Sequence, residues 1–375
     1  MTWLIPLLVL LLAVPVSIVI KRERTQRRHA LARALGLGYQ EGGFGHSERM
    51  IGTRRGLAVS IQWISRNQGR QRRTYTRWIV GGASPSLTLR PQGIGNELLR
   101  RVSGGEDLIV GDPEFDREVI VSGPPALVSA LLDHHARRKI LALPDGAALG
   151  SGNLTWDTRG EPGEPEVVAY TLDHAVELME RLADPGPALV ERLAGVAATD
   201  LEPGVRRRAL RALAGVDPAA AAGAARELEG DPDPAVRLQG ALVTGDVDAL
   251  AKAPDHALLA VASESPDPVA RALVRVRSER GLLALLTSDE TSVRVSAARG
   301  LARIGTTRAV EPLQVIAKAL LVGDELRSAA RSALESIQAR AESGGAGRVS
   351  LAEEGGQVSV ADEAGRLSVA RKTGS

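Results

Sequence analysis

At 375 residues the chain has room for two or three domains. It holds no cysteine, which excludes disulfides, thiolate metal sites and cysteine nucleophiles. The net charge of +2 hides an asymmetry: residues 21–101 carry +13 and the rest −11, so a basic stretch near the start is joined to an acidic remainder. Nearly all the basic residues are arginine, the usage of a GC-rich bacterial genome. The last aromatic residue is Tyr170, so any core beyond it is built from Ala, Leu and Val alone.

The first predicted element is a transmembrane signal-anchor over residues 3–20. Trp3 to Ile20 is apolar apart from Ser17, and as a helix it would span about 27 Å, near the thickness of a bilayer core. No basic residue precedes it and a basic cluster follows at once, which suits an anchor better than a cleaved signal peptide. By the positive-inside rule the flank stays in the cytoplasm. The expectation is therefore a single-pass protein of a bacterial inner membrane with its C-terminal body in the cytoplasm. Residues 21–36 continue as a basic juxtamembrane helix. Lys21, Arg22, Arg24, Arg27 and Arg28 are its candidate contacts to anionic lipid, each worth about 1 kcal/mol near a charged surface.

Residues 37–184 read as a small α+β domain. Leu57–Ile64 and Thr74–Val80 are β-branched and aromatic, and residues 67–73 between them read as a long polar hairpin tip. Shorter strands are expected at 87–89, 108–110, 118–121, 140–143, 147–149 and 154–156, with helices over 126–138 and 172–182. The tract Gly111-Asp112-Pro113-Glu114-Phe115-Asp116, with the strand, helix and strand after it, resembles uncharacterised bacterial membrane-attached domains over residues 111–150. That resemblance implies no particular chemistry. Asp112, Glu114 and Asp116 lack the longer ligand series and central glycine of a calcium loop. His134 and His135 are adjacent on a helix and so point apart. No nucleophile elbow, phosphate-binding loop or paired-histidine zinc motif is present. No catalytic, cofactor or metal residue is assigned. The arginines between Arg66 and Arg77, interleaved with Tyr75 and Trp78, raise the question of nucleic acid. Anionic lipid or plain solvation ranks ahead of it, given the neighbouring anchor.

Residues 187–340 change character to apolar residues at helical spacing with regular Asp-Pro and Gly breaks. Five units begin near Pro203, Asp231, Ser265, Ser288 and Gly323. Their arginines, Arg206, Arg237, Arg271, Arg294 and Arg327, are separated by 31, 34, 23 and 33 residues. The pattern D-x-x-V-R-x-x-A-[AV]-x-[AG]-L over about 150 residues resembles the bacterial HEAT-like repeat proteins. The resemblance implies an all-α solenoid of stacked helix pairs with an extended concave face, and it implies that the repeat arginines are mostly structural. Residues 341–375 form a linker and a tail of three nine-residue β-repeats, too small to be stable alone.

The expected architecture is thus multi-domain: transmembrane helix, small α+β domain, all-α HEAT-type solenoid, short β-repeat tail. The expected function is a membrane-anchored scaffold, not an enzyme, that binds a cytoplasmic protein through the solenoid. The rivals are an enzyme with an unrecognised site in the α+β domain, and a reader of anionic lipid or nucleic acid through the basic segment 21–101.

Overall fold

The structure is a computed structural model that describes residues 19, 21–43, 47–68, 71–92, 108–319 and 321–343. Its contacts divide the chain into two compact units, residues 1–224 and 225–375. The sequence boundary, at 184–187, falls earlier.

Among the described residues, sixteen helices and one eight-stranded antiparallel sheet stand where four successive parts were expected. Among the described residues no helix is long and apolar enough to cross a membrane. The single-pass anchor and the inner-membrane placement that followed from it are therefore not supported. The apolar run at 3–18 and Ile20 lie outside the described residues, as does the β-repeat tail. What is described next to the run is helix α1 over residues 21–34. It spans only about 21 Å and carries a row of charges from Lys21 to Arg28.

The sheet of the first unit has the order β1-β2-β3-β4-β8-β7-β5-β6. Its strands are β1 (Gly38–Gln40), β2 (Arg49–Arg54), β3 (Leu57–Gln68), β4 (Gln71–Gly81), β5 (Thr88–Pro91), β6 (Val119–Ser122), β7 (Ala148–Gly150) and β8 (Asn153–Arg159). Two hairpins close on two-residue turns with both residues left-handed. Arg55 and Gly56 (φ +50° and +83°) join β2 to β3, and Ser151 and Gly152 (φ +51° and +74°) join β7 to β8. The β3–β4 ladder runs unbroken to the pair Gln68 and Gln71, so most of the expected polar tip is strand. Backbone pairing does not depend on side-chain polarity, and Arg66–Gln68 and Gln71–Arg73 zip on to the end.

Burial alternates along the central strands as the pleat requires. Val59, Ile61 and Trp63 of β3, Thr76, Trp78 and Val80 of β4, and Leu154 and Trp156 of β8 are buried. Trp78 and Trp156 are cross-strand partners whose rings stack at 5.5 Å. The remaining helices of this unit are α2 (Pro113–Glu118), α3 (Pro125–Leu131), α4 (His134–Leu141), α5 (Pro165–Arg181), α6 (Leu189–Thr199) and α7 (Pro203–Val216). The single helix expected over 126–138 is two, because Asp133 caps a new N-terminus by accepting from Ala136 N at 2.7 Å. That second helix takes up the segment expected to be a strand at 140–143. Residues 108–110 are not a strand either, although Leu108 N donates to Val121 O. Helices α6 and α7, the first pair of the expected solenoid, pack on α3 and belong to this unit.

Helix α8 (Pro218–Glu227) leads into the second unit. There α9 (Pro234–Thr244), α10 (Val247–Leu250), α11 (Asp255–Ala260), α12 (Pro266–Arg275), α13 (Glu279–Leu285), α14 (Thr291–Ile304), α15 (Val310–Lys318) and α16 (Asp324–Ser343) follow. Alternate helices stack side by side, α10 on α12, α12 on α14 and α14 on α16. The core between them is Leu, Val, Ala and Ile, with no aromatic residue. A helix pair cannot bury its own apolar stripe, and stacking buries it.

The repeat arginines explain the recurring sequence. Arg206 Nη1 donates to the carbonyls of Asp200 (2.8 Å) and Leu201 (3.3 Å), and Arg237 Nη1 to those of Asp231 (2.5 Å) and Pro232 (3.1 Å). Arg327 Nη2 likewise reaches Val322 O at 2.8 Å. Each arginine thus clamps the turn that leads into its own helix. Arg206→Ala strips this clamp from a buried site, and a charged donor of this kind is worth about 2 kcal/mol. Urea unfolding should show the midpoint falling accordingly, and an unchanged midpoint would deny the clamp.

The third repeat breaks register. The anchoring apolar residue is third in its helix in α7 (Val205), α9 (Val236), α14 (Val293) and α16 (Leu326), and the arginine comes next. In α12 the anchor, Val269, is fourth, and buried Ala270 follows it. Arg271 is therefore displaced by one residue, about 100° around the helix, and is exposed.

Candidate functional site

Of the five residues proposed as lipid contacts, Arg28 is buried and the other four are exposed. Arg28 is buried, bonded to Glu48 and Glu161, and its guanidinium lies 4.0 Å from the centre of the Trp63 ring. Arg24 pairs with Glu161 at 3.5 Å and Arg27 with Glu23 at 2.7 Å. Lys21 and Arg22 remain exposed. Arg28 is thus a fastening of α1 to the sheet.

The acidic tract at 112–116 is also committed to the fold. Asp112 caps α2 by accepting from Glu114 N and Phe115 N, and Asp116 accepts from Val110 N and Gly111 N. Phe115 is fully buried. Asp112 is joined to an ion node that no local pattern announced. Arg137, fully buried, donates through Nε to Asp112 (2.7 Å), through Nη1 and Nη2 to Asp200 (3.0 and 2.9 Å), and through Nη1 to Leu132 O (2.8 Å). Burial pushes the Asp112 carboxyl up. The Arg137 hydrogen bond, the Phe115 amide, the Arg137 charge and the Glu114 amide outweigh it and hold the group below the usual carboxylate range. Asp173 and Glu177 of α5 are lowered too, the first by its hydrogen bonds from Arg54 (2.5 and 2.7 Å) and the second by Lys139 (2.8 Å). These displaced carboxylates fasten elements together, and that role accounts for their titration without a reaction. His134 and His135 stand edge to face with ring centres 5.8 Å apart, and the backbone N–H of His134 donates to Asp200.

The second unit carries a more open arrangement. Helices α12 and α14 enclose a cleft of about 370 Å³ whose wall includes Asp267, Arg271, Ser296, Arg299 and Arg303. A second cleft of about 560 Å³ lies between α14 and α16. It shares Arg299 and Arg303 and adds Glu325, Ser328, Ser332 and Ser336. The helical spacing of Arg299 and Arg303 places both on one face of α14. Ser296 Oγ donates to Asp267, and Arg299 pairs with Glu325 at 3.0 Å, both groups being well exposed. Arg271 and Arg303 have no ion-pair partner among the described residues. The site is a strip across three stacked helices bearing three guanidinium groups, two of them outside any ion pair, against two carboxylates, with a row of hydroxyls. Such a strip can hold carboxylates or phosphates by charge and by hydrogen bonds. Of these residues only Arg271 stood out in the sequence, and there it was grouped with the structural arginines. The spacing of 299 and 303 was the available signal for the others.

No protein-family profile matches the chain, and no curated protein matches it. Among solved structures, the crystal structure of an engineered protein matches at 23% identity over 47% of this chain and 85% of that chain, with a TM-score of 0.25. A likeness that slight bears on neither fold nor function.

Proposed function

We propose that the chain is a non-catalytic, HEAT-like helical-repeat scaffold whose protein partner presents an acidic segment to the α12–α14–α16 strip. The observation that carries this reading is the pair Arg271 and Arg303, two guanidinium groups on the wall of one cleft that form an ion pair with neither of the neighbouring carboxylates, Asp267 and Glu325. A protein that uses its repeat arginines to clamp turns has no structural need for these two. Stacked helices supply the rigid extended surface such a partner requires, and charge complementarity selects an acidic partner over a basic one.

The test is a titration of the full chain with a labelled Glu- and Ser-rich peptide, followed by fluorescence anisotropy. Binding should weaken as salt rises. The double variant Arg271→Glu with Arg303→Glu should lose at least tenfold in affinity, because charge reversal replaces attraction with repulsion. Wild type and double variant binding alike, or a Lys-rich peptide binding as well as the acidic one, would sink the reading.

A further inference from the structure

The outer face of the first unit's sheet holds no buried side chain among the described residues of β3, β4 and β8. On β3, β4 and β8 the residues that alternate with the buried set are Ser60, Gln62, Ile64, Tyr75, Arg77, Ile79, Thr155 and Asp157, and none of them is buried. The register lays them on one surface: Gln62 opposes Arg77, which opposes Asp157; Ile64 opposes Tyr75, which opposes Arg159; Arg66 opposes Arg73. Five guanidinium groups, Arg49, Arg66, Arg73, Arg77 and Arg159, therefore share this face with Asp157, the one carboxylate there among the described residues of β2, β3, β4 and β8. Arg77 grips Asp157 through Nε (2.9 Å) and Nη2 (3.1 Å), and Arg66 also donates to it. One carboxylate thus holds two arginines in place while cancelling a single charge. The Arg66 guanidinium lies 5.5 Å from the centre of the Tyr75 ring, which sits among these charges.

We propose that this face binds single-stranded nucleic acid, with Tyr75 stacking a base and the surrounding arginines holding phosphates. The sequence ranked nucleic acid behind lipid on the strength of a neighbouring polybasic flank. The structure rearranges both sides of that comparison. Arg24, Arg27 and Arg28 of the flank pair with Glu161, Glu23 and Glu48, each with its own or a shared carboxylate, while Arg66 and Arg77 of the hairpin share the single carboxylate of Asp157 beside the Tyr75 ring. Trp78, the other aromatic of the hairpin, faces the core and takes no part. A flat sheet face with an aromatic platform and excess positive charge suits an unpaired base, whose ring face is available for stacking. A duplex hides its base faces and would meet only the charges. A bilayer would need a continuous projecting apolar patch, and on this face Ile64 and Ile79 are separated by charged and polar residues.

The experiment measures anisotropy of a fluorescein-labelled thymidine dodecamer with the full chain, across a salt series. A duplex dodecamer and vesicles containing phosphatidylserine serve as competitors. Expected are binding to the single strand at low salt, a linear fall of log affinity with log salt, and weaker competition by duplex and vesicles. Arg73→Glu with Arg159→Glu should lose at least tenfold. Tyr75→Ala should lose about tenfold with little change in salt slope, and Tyr75→Phe should restore binding. Arg271→Glu in the second unit should leave this binding unchanged, which separates the proposal from the acidic-peptide reading. The proposal is overturned by no binding of the single strand at low salt, by duplex or vesicles competing as well as the strand itself, or by Tyr75→Ala binding like wild type.

Discussion

Asp200→Ala lowers the stability of the first unit by about 3–5 kcal/mol, the range found when one partner of a buried ion pair is deleted. Asp200 and Arg137 are both wholly buried. Besides the two bonds from Arg137, the Asp200 carboxylate accepts from His134 N at 2.8 Å and Glu202 N at 3.0 Å. Removing it leaves two amides unsatisfied and a buried guanidinium with only Asp112 and one carbonyl. The readout is specific, because Trp63, Trp78 and Trp156 lie in the first unit and residues 225–375 contain no aromatic residue. Tryptophan emission during urea unfolding therefore follows this unit alone, and far-UV dichroism follows both. With a slope of about 2 kcal/mol per molar urea, the emission midpoint should fall by roughly 2 M. A fall worth less than about 1 kcal/mol would show that the node is not a stabilising contact. Asp112 gives the pH signature. Its folded pKa is depressed, so the stability it contributes is fully present above the unfolded value near ~3.9 and is lost as pH falls through the folded value. The stability gap between wild type and Asp112→Asn should be widest near neutrality, begin to close near about pH 4, and vanish below the folded pKa.

Gly111→Ala is expected to cost about 3–5 kcal/mol, combining backbone strain with overpacking. Gly111 sits at φ +100°, and a Cβ there would lie 2.5 Å from the carbonyl carbon of Gly204, 2.7 Å from its oxygen and 2.9 Å from Val205 N. All three are backbone atoms, so no rotamer change relieves the clash. Gly204 meets the Gly111 backbone in return, and Gly204→Ala should be comparably harmful. Both substitutions force the same two strands of backbone apart, so the double variant should cost less than the sum of the singles. Gly215→Ala is the control. It lies in α7 with nothing within 4 Å of a built Cβ, and should be neutral or stabilising by up to about 1 kcal/mol. If Gly111→Ala behaves like Gly215→Ala in urea unfolding, the close approach is not a constraint.

Much of the local structure was written in the sequence, and most of what joins it was not. The runs at 57–64 and 74–80 announced β3 and β4 because β-branched and aromatic residues alternate there. Strand β2 went unseen because only Met50 and Ile51 are large and apolar in Arg49–Arg54, and it is held by pairing with β3. The helix starts near Pro203, Pro234, Pro266, Thr291 and Asp324 were legible from the Asp, Pro and Gly breaks ahead of them. Counting by arginine failed at the third, where burial follows Val269 and not Arg271. The ion node was out of reach, since Asp112, Arg137 and Asp200 come from three distant segments with no local signature. The same holds for the strip of arginines and serines, whose charges meet only when α12, α14 and α16 stack. The basic hairpin was noticed, but which of its side chains share a face depended on register with β8.

The slipped residue in α12 has a consequence for how such arrays diversify. In three of the other repeats the arginine is spent within its own turn. One extra residue, Ala270, between Val269 and Arg271 leaves the composition nearly intact yet rotates the charge away from the clamp position and into a cleft. Arrays of this kind can therefore alter what they bind by changing phase, with no new amino acid at all. Sequence comparisons that align repeats on their arginines would erase that signal, and aligning them on the buried anchor would preserve it.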